Sequence, residues 1–303
     1  MSYLTGHWSP DPFLIIAIIL AMWHEIGLAR LARRDPGRAG QRRVHSLAFY
    51  GGLAVALAAV DSPVEYWADR YFFMHMAQHL LLMFAAPTLI VAGAPWQPLL
   101  SAIPDRAVGI GWSRPLRAAG GWLLRPWVAV VAFNFVMLFW HVPALLDLAV
   151  DNQAVQIWLL HSSYLIAGLL FWLQFIPSPP FRMRMPPEGQ AVALVVTNVI
   201  MWLLAMAMSF LTSVSWYSVY DHVPGVTLPP FADQQIGAGI LWVCGDFWAV
   251  PALIVVIRRI ITADGSLGSA LDKMLGRGST ADGTTTGWAS RALPEARVRH
   301  RDG

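Results

Sequence analysis

The sequence is short of charge and nearly devoid of thiols and lysines. Asp, Glu, Lys and Arg make up 13% of the 303 residues, against 56% apolar residues and a mean hydropathy of +0.52. Soluble domains carry about 25% charged residues, so this chain lacks the polar surface to cover itself in water, and a soluble enzyme is excluded. Cys244 is the one cysteine. That excludes a disulfide framework, a paired-thiol metal site and any redox mechanism needing two protein thiols. Lys273 is the one lysine and lies beyond the last apolar run. A retinal-type receptor or pump is thereby excluded, because its Schiff base needs a lysine inside the bundle.

What the chain has in abundance is long apolar runs. A bilayer core about 30 Å thick takes about 20 apolar residues at 1.5 Å each. Seven stretches meet that length, approximately 13–31, 44–60, 71–93, 127–148, 155–176, 191–214 and 235–260. The expectation is an all-α, multi-pass bundle of seven spans occupying residues 1–260, with no internal repeat. The second span is the shortest and contains Gly51-Gly52. No basic residue precedes the first span, so no cleavable signal peptide is expected. Residues 94–126 combine Pro95, Pro98 and Pro104 with Trp96, Trp112 and Trp122 among four Arg, which suits an interfacial stretch. Residues 261–303, rich in Gly, Thr, Ser and Arg, are expected to form a disordered tail.

The net charge of +3 hides a strong asymmetry. All basic residues but Arg70 fall in the loops after spans one, three and five, at the adjoining ends of spans one and seven, or in the C-terminal segment. The positive-inside rule then puts the N-terminus outside and the C-terminus in the cytoplasm. The opposite loops carry Asp11, Asp61, Glu65, Asp69, Asp147, Asp151, Asp221 and Asp233. A negative outer face would attract cations, although turn formation and helix capping account for most of these residues.

Polar side chains at membrane depth are costly and mark functional sites by default. Four histidines fall in the outer halves of three spans: His75 and His79 in the third, His141 in the fourth and His161 in the fifth. His75 and His79 are four apart and share a helical face, which Met83 continues, with Met76 beside it. Imidazole accepts Cu(I), Cu(II) or zinc, and thioether favours Cu(I). The alternative is that each His only hydrogen-bonds a neighbouring helix. Met206 and Met208 also lie toward the outer half of span six. His24, Glu25 and His45 form a separate group near the other end, where, with Arg30 nearby, interfacial snorkelling is expected. Asp233 and Gln234 open span seven and are candidates either for a supporting shell around a metal site or for capping their own helix. Asp246, near mid-membrane, needs a partner or a proton and leaves an ion-transport reading open.

The stretches Leu47-Ala48-Phe49-Tyr50, Asp61-Ser62-Pro63, His75-Met76-Ala77-Gln78-His79-Leu80-Leu81-Leu82, Trp140-His141-Val142-Pro143 and Asp233-Gln234-Gln235-Ile236 occur in one order. Together they resemble the polytopic CtaG family of cytochrome c oxidase assembly proteins, over about residues 44–258. The resemblance implies a seven-span bacterial plasma-membrane protein that assists haem-copper oxidase assembly by handling copper, a metallochaperone with no catalytic role. It implies that His75, His79, His141 and His161 recur as the family's histidines, with Asp233 to Gln235 as its Asp-Gln-Gln. Oxidase subunits, and a copper donor protein, would be the partners. The chain departs from the family pattern in having Ile157-Trp158-Leu159-Leu160 where an acidic residue, often with a further histidine, precedes the span-five histidine. A haem-binding electron carrier with bis-histidine ligation is the alternative, since paired histidines also hold haem; Gly51-Gly52 would be its space-making pair.

Overall fold

In the computed structural model, residues 7–8, 12–34, 36, 39–103 and 120–264 are described. The expected tail from residue 265 onward, and residues 104–119 of the expected interfacial stretch, lie outside them. The chain divides into units Met1–Arg259 and Ile260–Gly303; everything below concerns the first, apart from the last turn of the final helix. Among the described residues there is no β-strand, only an isolated bridge between Ser178 and Phe181.

The chain order is α1 (Pro12–Arg34), α2 (Ala39–Val60), a short α3 (Pro63–Ala68), α4 (Phe72–Leu80) running through a π-helical turn at Leu81–Ala85 into α5 (Ala86–Gly93), and α6 (Trp96–Ser101). Then come α7 (Pro126–Trp140), α8 (Pro143–Asp151), α9 (Gln153–Val155) with a π-helical turn at Gln156–His161 leading into α10 (Ser162–Trp172), α11 (Pro187–Phe210) and α12 (Pro230–Asp264). Proline opens α1, α3, α7, α8, α11 and α12. Its missing N–H costs nothing in a first turn and its φ is already helical, so the prolines set where apolar runs begin to coil.

Six helices are long and apolar enough to cross a membrane, and the bent pair α7 and α8 makes a seventh if counted as one span. That pair corrects the unbroken span expected over 127–148: its two halves meet at 76°. Pro143 explains the break. It has no N–H to continue the ladder and it biases the preceding residue out of the helical region; Val142 is accordingly extended, at φ −67° and ψ 122°. His141 therefore sits at the corner, as the C-cap of α7, rather than within a straight span.

The α4–α5 helix is the centre of the bundle. In its most apolar window 67% of residues are buried, against 17–44% in the other five single spans. By contrast α1 exposes Ile15, Ile18, Ile19, Met22 and Ile26, and α12 exposes Val243, Phe247 and Ile254, as expected of faces turned to lipid. Small residues let backbones approach the centre, the usual device where lipid gives no hydrophobic drive. A Cβ on Gly168 of α10 would stand 2.5 Å from the Met83 carbonyl, and one on Gly237 of α12 the same distance from the Phe72 ring. Gly52 of α2 likewise faces Ile90 and the Ala86 carbonyl within 2.9 Å. Gly52 thus makes room for α5, which takes up the space the haem alternative drew on.

Candidate histidine and methionine site

The four histidines expected from the sequence come together at one end of the bundle, all nearly or fully buried. On α4, the His75 and His79 rings lie 4.0 Å apart between centroids. The His79 ring is 5.9 Å from that of His141 and 4.1 Å from that of Tyr164 on α10. Trp140 Nε1 donates to Ser163 Oγ at 2.8 Å, fastening α7 to α10 and so holding His141 near the helix that carries His161. Two π-helical turns border the layer, one just after His79 and one ending on His161. Such turns re-aim side chains and recur at functional sites.

Of the two candidate thioethers, Met76 meets a histidine: its Sδ lies 3.3 Å from His141 Nε2. Met83 is buried inside the π-helical turn, where its carbonyl accepts from Trp172 Nε1 at 3.3 Å. Met208 is buried with its sulfur 3.7 Å from the Tyr217 hydroxyl, whereas Met206 is exposed. His141 Nδ1 points at the Met137 carbonyl, 2.6 Å away. The remaining ring nitrogens have no hydrogen-bond partner among the described residues: both of His75, both of His79 and both of His161, together with the Tyr164 hydroxyl. Buried polar atoms are nearly always satisfied, and exceptions of this kind call for an ion or a water. The rings pack edge to face instead of converging, and no group of three or more His, Cys, Asp or Glu among the described residues is arranged to hold a metal ion as the side chains stand.

The carboxylates divide by role. Asp233 accepts from the backbone N–H groups of Phe72 at 2.7 Å and Phe73 at 2.9 Å, so it caps α4, whose own N-cap residue, Tyr71, makes no side-chain cap bond. Capping was the bland expectation for Asp233, but the helix served is a different one. Gln234 accepts from Trp216 N at 2.6 Å and donates to the Met208 carbonyl at 2.8 Å, tying the loop after α11 to α12. Asp246 accepts from Asn198 of α11 at 2.8 Å, which supplies the partner its depth demanded. Asp147 accepts from Ser218 Oγ at 2.6 Å.

Glu65 and Tyr164 are the residues the sequence reading left out of the layer. Glu65 Oε2 lies 3.6 Å from His161 Nε2 and accepts from Gln78, whose amide also donates to the Ala59 carbonyl at 2.9 Å. The carboxylate missing from the stretch before His161 is thus supplied across the bundle by α3. Glu65 also borders a cavity of about 780 Å³, together with His7, Asp69, Asp151 and Gln156. Asp69 accepts from Gln156 at 2.6 Å, and burial pushes its carboxyl above the ordinary carboxylate range. No local sequence signal pairs residues 65 and 161. Only the packing of α3 against α4, which brings Glu65 to the π-helical turn ending on His161, does so.

The second histidine group is not a snorkelling pair. His24 is buried and its Nδ1 lies 2.8 Å from the Tyr50 hydroxyl, which donates to Glu25 at 2.5 Å. Arg30 turns instead to the carbonyls of Ser101 and Ala102, both at 3.0 Å, at the C-terminus of α6.

No solved structure matches the chain. Among curated proteins it is similar to uncharacterized proteins of Mycobacterium bovis and Mycobacterium tuberculosis, each 24% identical over 278 residues, covering 88% of this chain and 41% of the relative. A further uncharacterized protein, from Mycobacterium leprae, is 25% identical over 260 residues, covering 80% of this chain and 37% of its own length. The chain thus spans less than half the length of these relatives. The family described as cytochrome c oxidase caa3 assembly factor matches residues 23–263, a range that takes in all four histidines of the layer, Met76 and the Asp233 cap. With its motifs, its membrane-spanning helices and that match in agreement, the chain belongs to the CtaG family of cytochrome c oxidase caa3 assembly factors.

Proposed function

We propose that the protein serves oxidase assembly by handling copper, receiving the ion at the histidine and methionine layer and releasing it to an apo-oxidase subunit by ligand exchange. The supporting observation is the 3.3 Å approach of His141 Nε2 to Met76 Sδ. His141 Nδ1 faces a carbonyl and must donate to it, so in the neutral ring the proton is spent there and Nε2 carries a lone pair. Two lone-pair donors then face each other in a buried space. A soft cation shared by both converts that contact from repulsion into bonding, and a thioether with an imidazole favours Cu(I). His75, His79 and His161, whose ring nitrogens have no hydrogen-bond partner among the described residues, supply the further donors through which an ion is accepted and passed on.

The cavity at Glu65, Asp69 and Asp151 is the approach for a cation, and Glu65 is the group that touches both the cavity and His161. With the Arg-rich loops cytoplasmic, this approach opens on the outer side of the plasma membrane. The protein does no covalent chemistry in this reading. Its partners are oxidase subunits and a copper donor.

The test is copper content of purified protein, with oxidase activity restored in a deletion strain as the second readout. His75→Ala/His79→Ala and Met76→Leu should each lower bound copper and fail to restore oxidase. Copper content equal to wild type in both variants would defeat the site.

A further inference from the structure

The far end of the bundle holds a second pair of imidazoles with a different preparation. His24 of α1 and His45 of α2 both border one cavity of about 300 Å³, lined also by Ser46, Ala94, Gln97 and Pro98. Along the central helix, His75 and Ala94 are separated by about 28 Å at 1.5 Å per residue. The two groups therefore cannot share one ion.

Each imidazole has its Nδ1 engaged and its proton position decided by the partner. The Tyr50 hydroxyl gives its single proton to Glu25, so toward His24 Nδ1, 2.8 Å away, it can only accept. His24 Nδ1 must therefore carry the hydrogen. His45 Nδ1 lies 3.0 Å from the Ala92 carbonyl, which also only accepts. In both neutral rings the lone pair is left on Nε2. This is the arrangement a metal-binding histidine needs: the distal nitrogen donates to a carbonyl or, here through a tyrosine, to a carboxylate, which fixes the tautomer and raises the basicity of the ligating nitrogen.

We propose that His24 and His45 form a second metal site, binding one Cu(I) ion through their Nε2 atoms, distinct from the histidine and methionine layer. The donor chemistry selects the ion. Magnesium and calcium take oxygen ligands, and no carboxylate is among the residues bordering the cavity, while Glu25 accepts from Tyr50. Zinc in protein sites takes three or four protein ligands, whereas two neutral imidazoles suffice for two-coordinate Cu(I). Tyr50 is a positioning residue here, acting on the metal only through His24.

The experiment uses the full chain, purified in detergent, carrying His75→Ala/His79→Ala/Met76→Leu to silence the other layer. It is loaded with Cu(I) under reducing conditions, desalted and assayed for copper, with size exclusion and melting temperature as folding checks. The background variant should retain a copper equivalent that is lost on adding His24→Ala or His45→Ala. His45 is exposed, so its substitution leaves a folded protein even if that of His24 does not. Tyr50→Phe should weaken Cu(I) affinity about 10–100-fold, the usual effect of removing an outer partner, while keeping both ligands. A background variant that holds no copper, copper retained after His45→Ala, or unchanged affinity in Tyr50→Phe would each overturn the site. Because the layer proposed above is silenced throughout, its failure and the failure of this site give different results: copper insensitive to His75 and His79 but lost with His45 supports this site alone.

Discussion

Substituting Asp233 separates a structural carboxylate from a metal-binding one. Its two oxygens accept the first free N–H groups of α4, from Phe72 at 2.7 Å and Phe73 at 2.9 Å, and the side chain is 2% exposed. Hydrogen bonds to a charged group contribute about 1.5–3 kcal/mol each, and leaving a buried donor unsatisfied costs a similar amount. An N-cap loss alone is about 0.5–2 kcal/mol. Asp233→Ala should therefore destabilise the protein by about 3 kcal/mol. Asp233→Asn, which keeps one oxygen acceptor but turns an amide N–H₂ toward the second donor, should cost about half of that. The assay is reversible unfolding in detergent or bilayer discs, with copper content measured on the folded fraction. Stability should fall in the order wild type, Asn, Ala, with copper per folded chain unchanged in the Asn variant. If Asp233→Asn strips copper while stability moves by less than about 0.5 kcal/mol, the capping argument is refuted and the carboxylate belongs to the metal site.

Asp69 makes a prediction in pH. Burial raises its carboxyl above the starting value of 3.8, so the unfolded chain releases this proton more readily than the folded one. Its contribution is therefore fully present below the unfolded pKa and is lost as pH rises through the higher folded value. Wild type should lose stability across that interval, and Asp69→Asn, which can still accept from Gln156, should lack that loss and unfold less readily at neutral pH; a variant with the same pH profile as wild type would contradict it. Gly168→Ala tests the central contact: its Cβ would stand 2.5 Å from the Met83 carbonyl. Moving α10 off the π-helical turn should cost about 1–3 kcal/mol, read as a lowered melting temperature, and a neutral effect would show that the turn gives way freely.

The gap between sequence and structure has particular causes. Span number and the histidine layer were legible because membrane depth constrains composition strongly: every backbone polar group must be satisfied within its own helix, and every imidazole in a span stands out. The corner at His141 was written in Pro143, whose effect on Val142 is local, but apolarity across 127–148 masked it. The role of Asp233 was half legible. A carboxylate near a helix start reads as a cap, yet only packing decided that it caps α4 instead of α12. Glu65 was illegible as a partner of His161, since nothing local links a short helix between two spans to a turn ninety-six residues further on.

By itself, then, the sequence determined that the chain carries helices long and apolar enough to cross a membrane, that half of its helices begin at prolines, and that four imidazoles share one depth. These follow from single residues or from periodicity along one helix. The tertiary structure alone decided which thioether faces His141, that Glu65 reaches His161 and that the Tyr50 hydroxyl meets His24. Each is a contact between helices distant in sequence, set by how small residues let backbones approach, which no one-dimensional pattern encodes.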